Sequence, residues 1–374
     1  MASGTTILFA GGGTGGHLYP GLAIARTLVR LEPGVRPYFI GAWRGIEKTV
    51  LPGTEFPHLL LDLHPLYRTK PWENWRTIRG ALGSWRQLGA LARKDRPALV
   101  VGTGGYAAGL ALAYAALHHI PIVQQAGDSY PGLTARAFRR WTTEYYLAFP
   151  EAGRVIGGMP AQHVDTGAPI EPPPRPRPDR AAARRAWGFP ERGGHVLLIY
   201  GGSQGSRAIN LVVADWVKRG LPDDLHLIWM TGKASYSEFA PLDGARVKVR
   251  EYLSPIADAY AATDIALVRA GAMTTAELFA WEIPAVLVPL PTAAADHQSV
   301  NARTLAAAGA AIDLPQAQLT ADRLDATLRG LLADPAAMQR LADGARARAR
   351  PDAAETIARR ILTLIAAREK PAPR

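Results

Sequence analysis

The stretch TILFAGGGTGGH (Thr6–His17) decides the fold expected for the amino-terminal half of the chain. Its β-branched and apolar residues end in the glycine-rich segment Gly11–Gly16, and Pro20–Leu31 then places small and apolar residues at helical spacing. A strand, a glycine turn and a helix in this order are typical of a parallel, doubly wound sheet. The stretch therefore predicts the start of an α/β domain.

The same order recurs in both halves of the chain. Glycine-rich turns come again at Gly102–Gly105 and Gly201–Gly205, each directly after an apolar run. Further strands are predicted over 37–40, 98–101, 121–124, 195–200, 225–230, 247–249, 265–268 and 285–288. Helices are predicted over 107–117, from about 208 onward, and over 256–262, 274–281, 299–308, 321–332 and 353–367. We therefore expect an α/β protein with two Rossmann-like, doubly wound parallel-sheet domains.

A proline-rich segment divides the two halves. GAPIEPPPRPRPDR (Gly167–Arg180) cannot continue a helix or a central strand, because proline lacks the backbone N–H and has a fixed φ. We expect a first domain over 1–166, a linker over 167–180 and a second domain over 181–349. The helix predicted at about 350–370 is expected to pack back onto the first domain.

The composition narrows the classes of protein to which the chain can belong. Its 374 residues suffice for two α/β domains, and the absence of Cys excludes disulfides, thiolate metal sites and a cysteine nucleophile. Neither a signal peptide nor a membrane-spanning apolar stretch is apparent, so we expect a soluble or peripheral protein. The net charge of +11 suits phosphorylated substrates, an anionic membrane or nucleic acid, and equally a merely arginine-rich composition. No recognition motif supports nucleic-acid binding.

The first glycine loop departs from two well-known phosphate-binding motifs. Tyr38–Gly41 ends the next predicted strand without the acidic residue that reads a ribose, and no Lys-Ser/Thr pair follows Gly16. Instead His17 comes directly after the loop, where an imidazole that titrates near neutral pH suits a general base. The alternative is a histidine that only caps the helix near Pro20.

In the second half, the segment Arg269–Glu277 follows a predicted strand and opens a helix. The N–H groups at such a helix start can bind a pyrophosphate, and Glu277, about one turn inside, can accept two hydrogen bonds from a ribose diol. The segment 296–298 (Asp-His-Gln) precedes another helix and can reach sugar hydroxyls. The alternatives are a helix-dipole role for Glu277 and N-capping by Asp296.

Seven segments, in order along nearly the whole chain, form a recognisable set. They are GGGTGGHLYPGLAIA (11–25), VGTGGYAAG (101–109), PGLTAR (131–136), LAFPEA (147–152), GGSQGSRAIN (201–210), RAGAMTTAEL (269–278) and PLPTAAADHQSVNA (289–302). Together they resemble the MurG family. Its members are the UDP-N-acetylglucosamine:undecaprenyl-pyrophosphoryl-N-acetylmuramoyl-pentapeptide N-acetylglucosaminyltransferases of peptidoglycan synthesis.

The resemblance implies a GT-B architecture, in which two Rossmann-like domains face a cleft and the second domain holds most of the donor nucleotide. It implies inverting transfer of GlcNAc from UDP-GlcNAc to the C4 hydroxyl of the lipid-linked muramoyl group, with no metal strictly needed and no other cofactor required. The expected location is the cytoplasmic face of the bacterial cell membrane, with peripheral attachment and no nucleic-acid partner.

The resemblance also implies roles for individual residues. On the acceptor side these are Gly13, Thr14, Gly15, Gly16, Gly104 and Gly105, with His17 as the candidate base and Tyr106 beside it. On the donor side they are Ser203, Gln204, Leu253, Ala272, Met273, Thr274, Glu277, His297 and Gln298. The backbone near Leu253 would meet the uracil and Glu277 the ribose. The amides of 272–274 would bind the pyrophosphate, and 297–298 the GlcNAc hydroxyls.

Two positions depart from the family pattern. The family's His-Glu-Gln-Asn is Gln125-Ala126-Gly127-Asp128 here, which makes Asp128 the candidate substitute for the missing acid. The family's linker arginine is Glu171, whose charge repels a pyrophosphate. The alternatives left open are a related GT-B glycosyltransferase with a different lipid acceptor, a sugar-nucleotide epimerase, and a catalytically weak UDP-sugar-binding paralogue. The alanine at 126 argues against the epimerase, which needs carboxylates near the anomeric centre.

A basic, tryptophan-rich segment over Pro65–Arg96 is the candidate membrane contact. Trp72, Trp75 and Trp85 recur at the spacing of one helix face, among cationic residues that include Arg79. Tryptophan and arginine together suit the headgroup region of an anionic membrane. The alternative is an ordinary helix with a tryptophan core stripe and a solvated arginine face.

Overall fold

The computed structural model describes residues 4–64, 72 and 74–369. The chain forms two compact units, one of Met1–Glu171 with Asp352–Arg374 and the other of Pro172–Pro351. The boundary between the units falls inside the proline-rich segment, which has no regular secondary structure until a helix begins at Arg180. Each unit has its own sheet and its own apolar core.

The first unit is built on a seven-stranded sheet. The strands are β1 Thr5–Gly11, β2 Val35–Ala42, β3 His58–Leu61, β4 Leu99–Gly104, β5 Ile122–Ala126, β6 Thr142–Leu147 and β7 His163–Asp165. The helices are α1 Gly15–Leu31, α2 Glu47–Val50, α3 Asn74–Lys94, α4 Ala108–Leu117, α5 Leu133–Ala137 and α6 Ala152–Ile156. All neighbouring strands are parallel, in the order β3-β2-β1-β4-β5-β6-β7. The strand order reverses between β1 and β4, which is where such sheets bind ligands.

Alternate residues of β1 belong to the two cores of this unit. Ile7 and Phe9 are buried with residues of α1, whereas Leu8 and Ala10 are buried with residues of α3 and α4. Successive side chains of a strand point to opposite faces, so a sheet covered on both faces needs apolar residues at successive positions. This explains why the run before the first glycine loop is apolar without alternation.

The second unit repeats this plan with a six-stranded sheet. The strands are β8 His195–Tyr200, β9 Leu225–Met230, β10 Val247–Arg250, β11 Ile265–Val268, β12 Ala285–Leu287 and β13 Ala311–Asp313. The helices are α7 Arg180–Ala186, α8 Arg207–Arg219, α9 Tyr236–Phe239, α10 Ala257–Ala262, α11 Ala272–Ala280, α12 His297–Ala307, α13 Ala321–Leu332 and α14 Pro335–Arg348. The strands are again parallel, in the order β10-β9-β8-β11-β12-β13. The two sheets confirm the predicted fold class.

The last helix, α15 (Ala353–Glu369), belongs to the first unit although it follows the second in sequence. Ile357, Ile361 and Ile365 are buried in the core that α1 and β1 share. Arg360 adds a bidentate ion pair with Glu144 of β6, with N–O distances of 2.6 and 2.8 Å. An apolar face and one oriented ion pair thus hold the end of the chain against the first sheet.

Candidate active site

The carboxyl ends of β1, β4 and β5 meet at one edge of the first sheet, because these parallel strands are neighbours. The acceptor-side residues expected from the sequence lie at these strand ends or directly after them: Gly13–Gly16, Gly104–Tyr106 and Asp128. The N–H of Gly12 donates to the carbonyl oxygen of Gly104 over 3.2 Å and joins the two glycine loops. The fold thus brings residues from three separate segments to one edge.

His17 lies in the first turn of α1, whose N-cap residue is Thr14. Its Nδ1 is 3.1 Å from Thr14 Oγ1, and its ring lies against the backbone of Gly104 and Gly105. Both glycines have positive φ angles, +100° and +77°, and a Cβ on Gly104 would come within 2.6 Å of the imidazole. Glycine is therefore required there by the backbone conformation and by the ring. The second glycine loop makes room for a partly buried histidine at the carboxyl edge of the sheet.

Tyr106 and Thr134 hold the two loops in place. The ring of Tyr106 comes within 3.1 Å of the position that a Cβ on Gly13 would take, so the ring lies over the first loop. The hydroxyl of Thr134 donates to the carbonyl oxygen of Gly105 over 3.1 Å. Thr134 belongs to the PGLTAR segment (131–136), so this segment supports the glycine loops.

The segment after β5 carries the departure from the family pattern. Gln125 is 3% exposed, and its Oε1 and Nε2 have no hydrogen-bond partner within the described ranges. Ala126 is buried, and Asp128 is partly buried at the same carboxyl edge as the glycine loops. The change in sequence therefore removes an acid from this edge but leaves an acid two residues further along.

A buried carboxylate that sequence reasoning missed lies under the first loop. Glu47, the first residue of α2, is 0% exposed. Its Oε2 accepts the N–H of Gly13 over 2.9 Å, and its Oε1 accepts the N–H of Ala42 over 3.2 Å. A Cβ on Gly12 would come within 1.7 Å of this carboxylate. Because Gly12 and Gly13 both donate within the protein, their amides do not form an open phosphate cradle.

In the second unit, the loops after β8, β11 and β12 meet at the carboxyl edge, and Arg269 ties them together. Its Nη1 donates to the carbonyl oxygens of Val288 and Pro289 over 3.1 and 3.0 Å. Its Nη2 donates to Ser206 Oγ and Gln316 Oε1, both over 2.7 Å. Arg269 is 6% exposed, and burial lowers its pKa. All four partners are neutral, so none of them balances the guanidinium charge. No role was predicted for Arg269 from the sequence.

The first turn of α11 lies next to Arg269 in the chain. Gly271 is the N-cap residue, so Ala272, Met273 and Thr274 supply the first N–H groups of the helix. The first N–H groups of a helix have no acceptor within it and carry part of the positive end of its dipole. The geometry at this helix start is therefore suited to an anion.

Two buried tyrosines hold Glu277 within the same helix. Tyr260 Oη donates to Glu277 Oε2 over 2.8 Å, and the hydroxyl oxygens of Tyr200 and Tyr260 are 2.9 Å apart. Since Tyr260 gives its one hydrogen to Glu277, the hydroxyl of Tyr200 must donate to Tyr260. Burial raises the pKa of both phenols, so both keep their hydrogens. This chain of donors orients the carboxylate, and neither tyrosine was predicted from the sequence to belong to the site.

The remaining donor-side residues are spread over other loops of the second unit. Ser203 and Gln204 are exposed after β8, whereas Leu253 is 6% exposed after β10. His297 begins α12, and Gln298 Oε1 accepts the N–H of Leu290 over 3.0 Å. Asp296 makes no side-chain cap hydrogen bond to α12, so the capping role weighed from the sequence is not seen.

The tryptophan-rich segment is described only in part. Residues 65–71 and 73 and the side chain of Trp75 lie outside the described residues. Trp72 is 70% exposed, and Arg79 is exposed on α3. Trp85 is partly buried, and its ring centroid is 5.3 Å from that of Tyr114, so it packs onto α4. Trp85 thus has a packing role within the unit.

Metal-binding clusters and membrane-spanning helices are two features that the described part of the chain lacks. No group of three or more His, Asp or Glu side chains placed to hold a metal ion occurs there. Within the same ranges, none of the helices has both the length and the apolar character needed to cross a membrane.

Both units match domains of one enzyme family. Residues 7–147 match the glycosyltransferase family 28 N-terminal domain, and residues 196–357 match the glycosyltransferase family 28 C-terminal domain. The chain is 42% identical over 366 residues to the UDP-N-acetylglucosamine--N-acetylmuramyl-(pentapeptide) pyrophosphoryl-undecaprenol N-acetylglucosamine transferase of Salinibacter ruber, with 96% of each chain covered. It is 38% identical to the same-named protein of Symbiobacterium thermophilum, with 95% of each covered. The chain belongs to the MurG family of glycosyltransferases.

Solved structures agree with this assignment. Acinetobacter baumannii MurG is 26% identical to the chain, with a TM-score of 0.74 and coverage of 96% of this chain and 99% of that one. A UDP-N-acetylglucosamine 2-epimerase is also similar, with a TM-score of 0.64 over 100% of this chain and 99% of that one, but at 14% identity it shows the fold alone. The MurG-family resemblance read from the seven segments is confirmed, and the chain is an enzyme.

Proposed function

We propose that the chain transfers N-acetylglucosamine, with inversion, from UDP-GlcNAc to the C4 hydroxyl of undecaprenyl-pyrophosphoryl-MurNAc-pentapeptide in peptidoglycan synthesis. The names of the relatives describe this kind of transfer. One contrast within the chain carries the proposal: a histidine packed on glycine backbone in one unit, and a buried guanidinium with only neutral partners in the other.

On the donor side, positive potential is available from the protein itself. The first N–H groups of α11 would bind the pyrophosphate, and Arg269 would add a charge that its neutral partners do not balance. UDP leaves with a growing negative charge, which pre-arranged donors of this kind stabilise. Glu277 would accept hydrogen bonds from the ribose diol while Tyr260 holds it in place.

The sugar and the base of the donor would be bound by the surrounding loops. His297 and Gln298 would hold the GlcNAc hydroxyls, and Gln298 would donate through its amide nitrogen because its oxygen already accepts from Leu290. Ser203 and Gln204 would contact the phosphates or the sugar. The backbone near Leu253 would bind the uracil.

On the acceptor side, the imidazole of His17 would take the proton of the C4 hydroxyl while the hydroxyl oxygen attacks the anomeric carbon of the donor GlcNAc. A new bond forms from that oxygen to the anomeric carbon, and the bond from this carbon to the UDP oxygen breaks. Positioned general bases contribute about 10²–10⁴-fold to such steps. Tyr106 and Asp128, at the same carboxyl edge, would orient the acceptor.

The lipid-linked acceptor requires contact with a membrane surface. We assign this contact to Trp72, Trp75 and Arg79, at the cytoplasmic face of the cell membrane, and exclude Trp85 because it packs against Tyr114. Pelleting with anionic vesicles should fall sharply with rising salt and in a Trp72→Ser/Trp75→Ser variant. Trp141→Ser, at a 52% exposed tryptophan elsewhere in the unit, is the matched control. Equal pelleting of all three proteins would contradict this assignment.

The proposed transfer is tested in two steps on the wild-type protein. Calorimetry should show binding of UDP-GlcNAc, and a radiolabelled donor should then transfer its sugar to a short-chain lipid acceptor. An absence of UDP-GlcNAc binding would refute the donor-site assignment. Binding without transfer would favour the catalytically weak paralogue.

A further inference from the structure

A cavity of about 380 Å³ opens between the turn after β2, the end of β3 and helix α3. The turn and the end of β3 line it with Arg44, Asp62 and His64, and α3 lines it with Ser84 among other residues. A Cβ on Gly80 would come within 2.2 Å of the carbonyl oxygen of Asp62, so α3 lies directly on the end of β3. The cavity therefore lies at the carboxyl edge of the first sheet, the same edge as the acceptor-side loops.

The carboxylate of Glu47 connects one wall of this cavity to the first glycine loop. Its Oε1 accepts the N–H of Ala42, two residues before Arg44, and its Oε2 accepts the N–H of Gly13. β3 is two strands from β1, and neighbouring strands lie about 4.8 Å apart, so the end of β3 is about 10 Å from β1 across the sheet. An extended chain of five residues spans about 17 Å. A pentapeptide that begins at the first loop can therefore reach the cavity.

Two buried polar atoms at the cavity have no hydrogen-bond partner among the described residues. They are Nδ1 of His64, whose side chain is 5% exposed, and Oγ of Ser84, which is 1% exposed. Buried polar atoms in folded proteins nearly always have a partner, so these two atoms are suited to a ligand or an ordered water. Both belong to residues that line the same cavity.

Asp62 determines which hydrogen the ring of His64 carries. Asp62 Oδ1 is 3.1 Å from His64 Nε2, and an ionised carboxylate only accepts hydrogen bonds, so Nε2 carries the hydrogen. In the neutral imidazole, Nδ1 is then an acceptor. The cavity thus combines an acceptor at His64 with the hydroxyl of Ser84. A peptide bond supplies an N–H for the first and a carbonyl for the second, whereas a phosphate diester has no hydrogen to donate.

Arg44 adds a positive charge at the mouth of the cavity. Its Nε is 3.9 Å from Asp62 Oδ1, which is too far for a hydrogen bond, and its side chain is 57% exposed. A guanidinium can bind a carboxylate through two parallel hydrogen bonds. The cavity and its mouth together therefore match a peptide that carries a carboxylate.

We propose that this cavity binds the pentapeptide of the acceptor, with Arg44 on one of the carboxylates of the peptide. The proposal rests on the proposed transfer and names the part of the acceptor that the first unit recognises. The muramoyl group carries its peptide through the lactyl group at C3, next to the C4 hydroxyl that attacks. The peptide therefore begins beside His17.

The charge along the carboxyl edge favours one direction for the peptide. The first charged residues after β5 and β6 are Asp128 and Glu151, whereas the first after β2 is Arg44. A carboxylate is repelled by the first two side chains and attracted by the third. Trp43, directly before Arg44, is 52% exposed and offers an aromatic face to the apolar side chains of a peptide. The peptide thus runs from the first loop toward β2 and β3.

Gly83 offers a way to block the cavity without disturbing the fold. No atom lies within 4 Å of the position that a Cβ on Gly83 would take, and the residue is exposed within α3. Gly83→Glu places a carboxylate at the cavity, and glutamate favours a helix more than glycine does. Ala90→Glu, at an exposed position of the same helix, changes the net charge equally and is the matched control. Arg44→Gln is an independent second variant.

The experiment measures sugar transfer to two short-chain acceptors in solution without vesicles. One acceptor carries the pentapeptide with free carboxylates, and the other carries the same peptide with its carboxylates amidated. We expect Gly83→Glu and Arg44→Gln each to raise KM for the first acceptor about ten-fold at a similar kcat, which corresponds to the loss of one hydrogen bond to a charged group. Their KM for the amidated acceptor should rise much less, and Ala90→Glu should change neither value. An equal rise for both acceptors would overturn the proposal.

Two further measurements separate this proposal from its alternatives. If Gly83→Glu and Arg44→Gln bind phosphatidylglycerol vesicles more weakly than Ala90→Glu does, while their KM for the free-carboxylate acceptor is unchanged, the cavity holds a lipid headgroup and the proposal is wrong. Calorimetry with water-soluble N-acetylmuramoyl-pentapeptide needs no turnover and so does not depend on the proposed transfer. Binding that Gly83→Glu weakens more than Ala90→Glu supports the cavity even if no sugar is transferred. Equal binding by these two variants would contradict it.

Discussion

The glycine loops at the two carboxyl edges look alike in sequence but are backed by opposite charges. Under Gly11–Gly16 lies the carboxylate of Glu47, which accepts the N–H of Gly13. Beside Gly201–Gly205 lies the guanidinium of Arg269, which donates to Ser206 Oγ. A buried anion repels a phosphate and a buried cation attracts one. The first edge is therefore suited to a neutral sugar hydroxyl and a base, and the second to a diphosphate.

This difference shows that glycine content alone does not assign a ligand to a loop. In the first unit, Gly104 and Gly105 are required because the ring of His17 and the carbonyl of Gly12 occupy the space of a side chain. In the second unit, a Cβ on Gly205 would come within 2.0 Å of the carbonyl oxygen of Thr231. Both loops are tight for reasons of packing, and their chemistry comes from the charged side chain behind each of them.

The largest effect is expected on removing the positive charge at the second edge. Arg269→Met should lower the affinity for UDP roughly 30-fold, since two unit charges about 8 Å apart interact by about 2 kcal/mol at an effective dielectric constant near 20. Calorimetry with UDP measures it. Arg184→Met is the matched control, because Arg184 is also 6% exposed but pairs with Asp264. If both variants bind UDP equally, the guanidinium of Arg269 does not act on the donor.

A smaller effect is expected on changing the charge at the first edge. Glu47→Gln puts an amide nitrogen or a single oxygen where two N–H groups now donate, so at least one of these hydrogen bonds is lost. We expect a loss of stability of about 1–3 kcal/mol and about ten-fold slower transfer, with the UDP affinity unchanged. Thermal unfolding and turnover measure these effects, with Glu55→Gln at an exposed ion pair as the control. If the UDP affinity of Glu47→Gln fell together with its turnover, the two edges would not have the separate roles assigned to them.

A more local effect is expected at the ribose. Tyr260→Phe removes the hydrogen bond that orients Glu277, which should lower the affinity for UDP about five-fold. The affinity for 2′,3′-dideoxy-UDP, which lacks the ribose diol, should change much less. Tyr236→Phe, in α9, is the control. An equal loss with both ligands would show that the tyrosines serve the fold and not the ribose.

The smallest expected effect is that of chelation. If the amides of α11 and the guanidinium of Arg269 stabilise the leaving UDP, transfer should continue in excess EDTA at an unchanged rate. A loss of turnover that Mg²⁺ restores would show that the charge at the second edge is insufficient. Measuring turnover in EDTA for both the wild-type protein and Arg269→Met would separate the contribution of a metal ion from that of the Arg269 guanidinium.

Much of the fold follows from local sequence. The strands His195–Tyr200 and Ile265–Val268 have the bounds expected from their apolar runs. The short strands β3, β7 and β13 were not predicted, since three or four residues give no clear periodicity. Helix α1 begins at Gly15, earlier than the expected Pro20, because the glycine loop itself enters the helix. Local composition does not show such an overlap.

The side chains behind the loops could not be predicted in the same way. Glu47 is far in sequence from Gly13, and only the pairing of β1 with β2 brings them together. Arg269 stands within a segment that the sequence analysis had selected, but its partners come from three other loops. Tyr260 of α10 and Glu277 of α11 are separated in sequence by β11, and the fold of the second unit brings their side chains together. Sequence patterns located the loops, and long-range contacts determine their charge.

The two edges are proposed to have different roles in the transfer. The first accepts the proton of the acceptor hydroxyl, and the second binds the charged diphosphate of the donor. The most direct measurement is the turnover of His17→Ala beside its affinity for UDP-GlcNAc, with His58→Ala, at the amino end of β3, as the control. Turnover should fall about 10²–10⁴-fold while the dissociation constant for UDP-GlcNAc changes by less than about two-fold. Unchanged turnover, or an equal loss of donor affinity, would contradict the division of roles between the two edges.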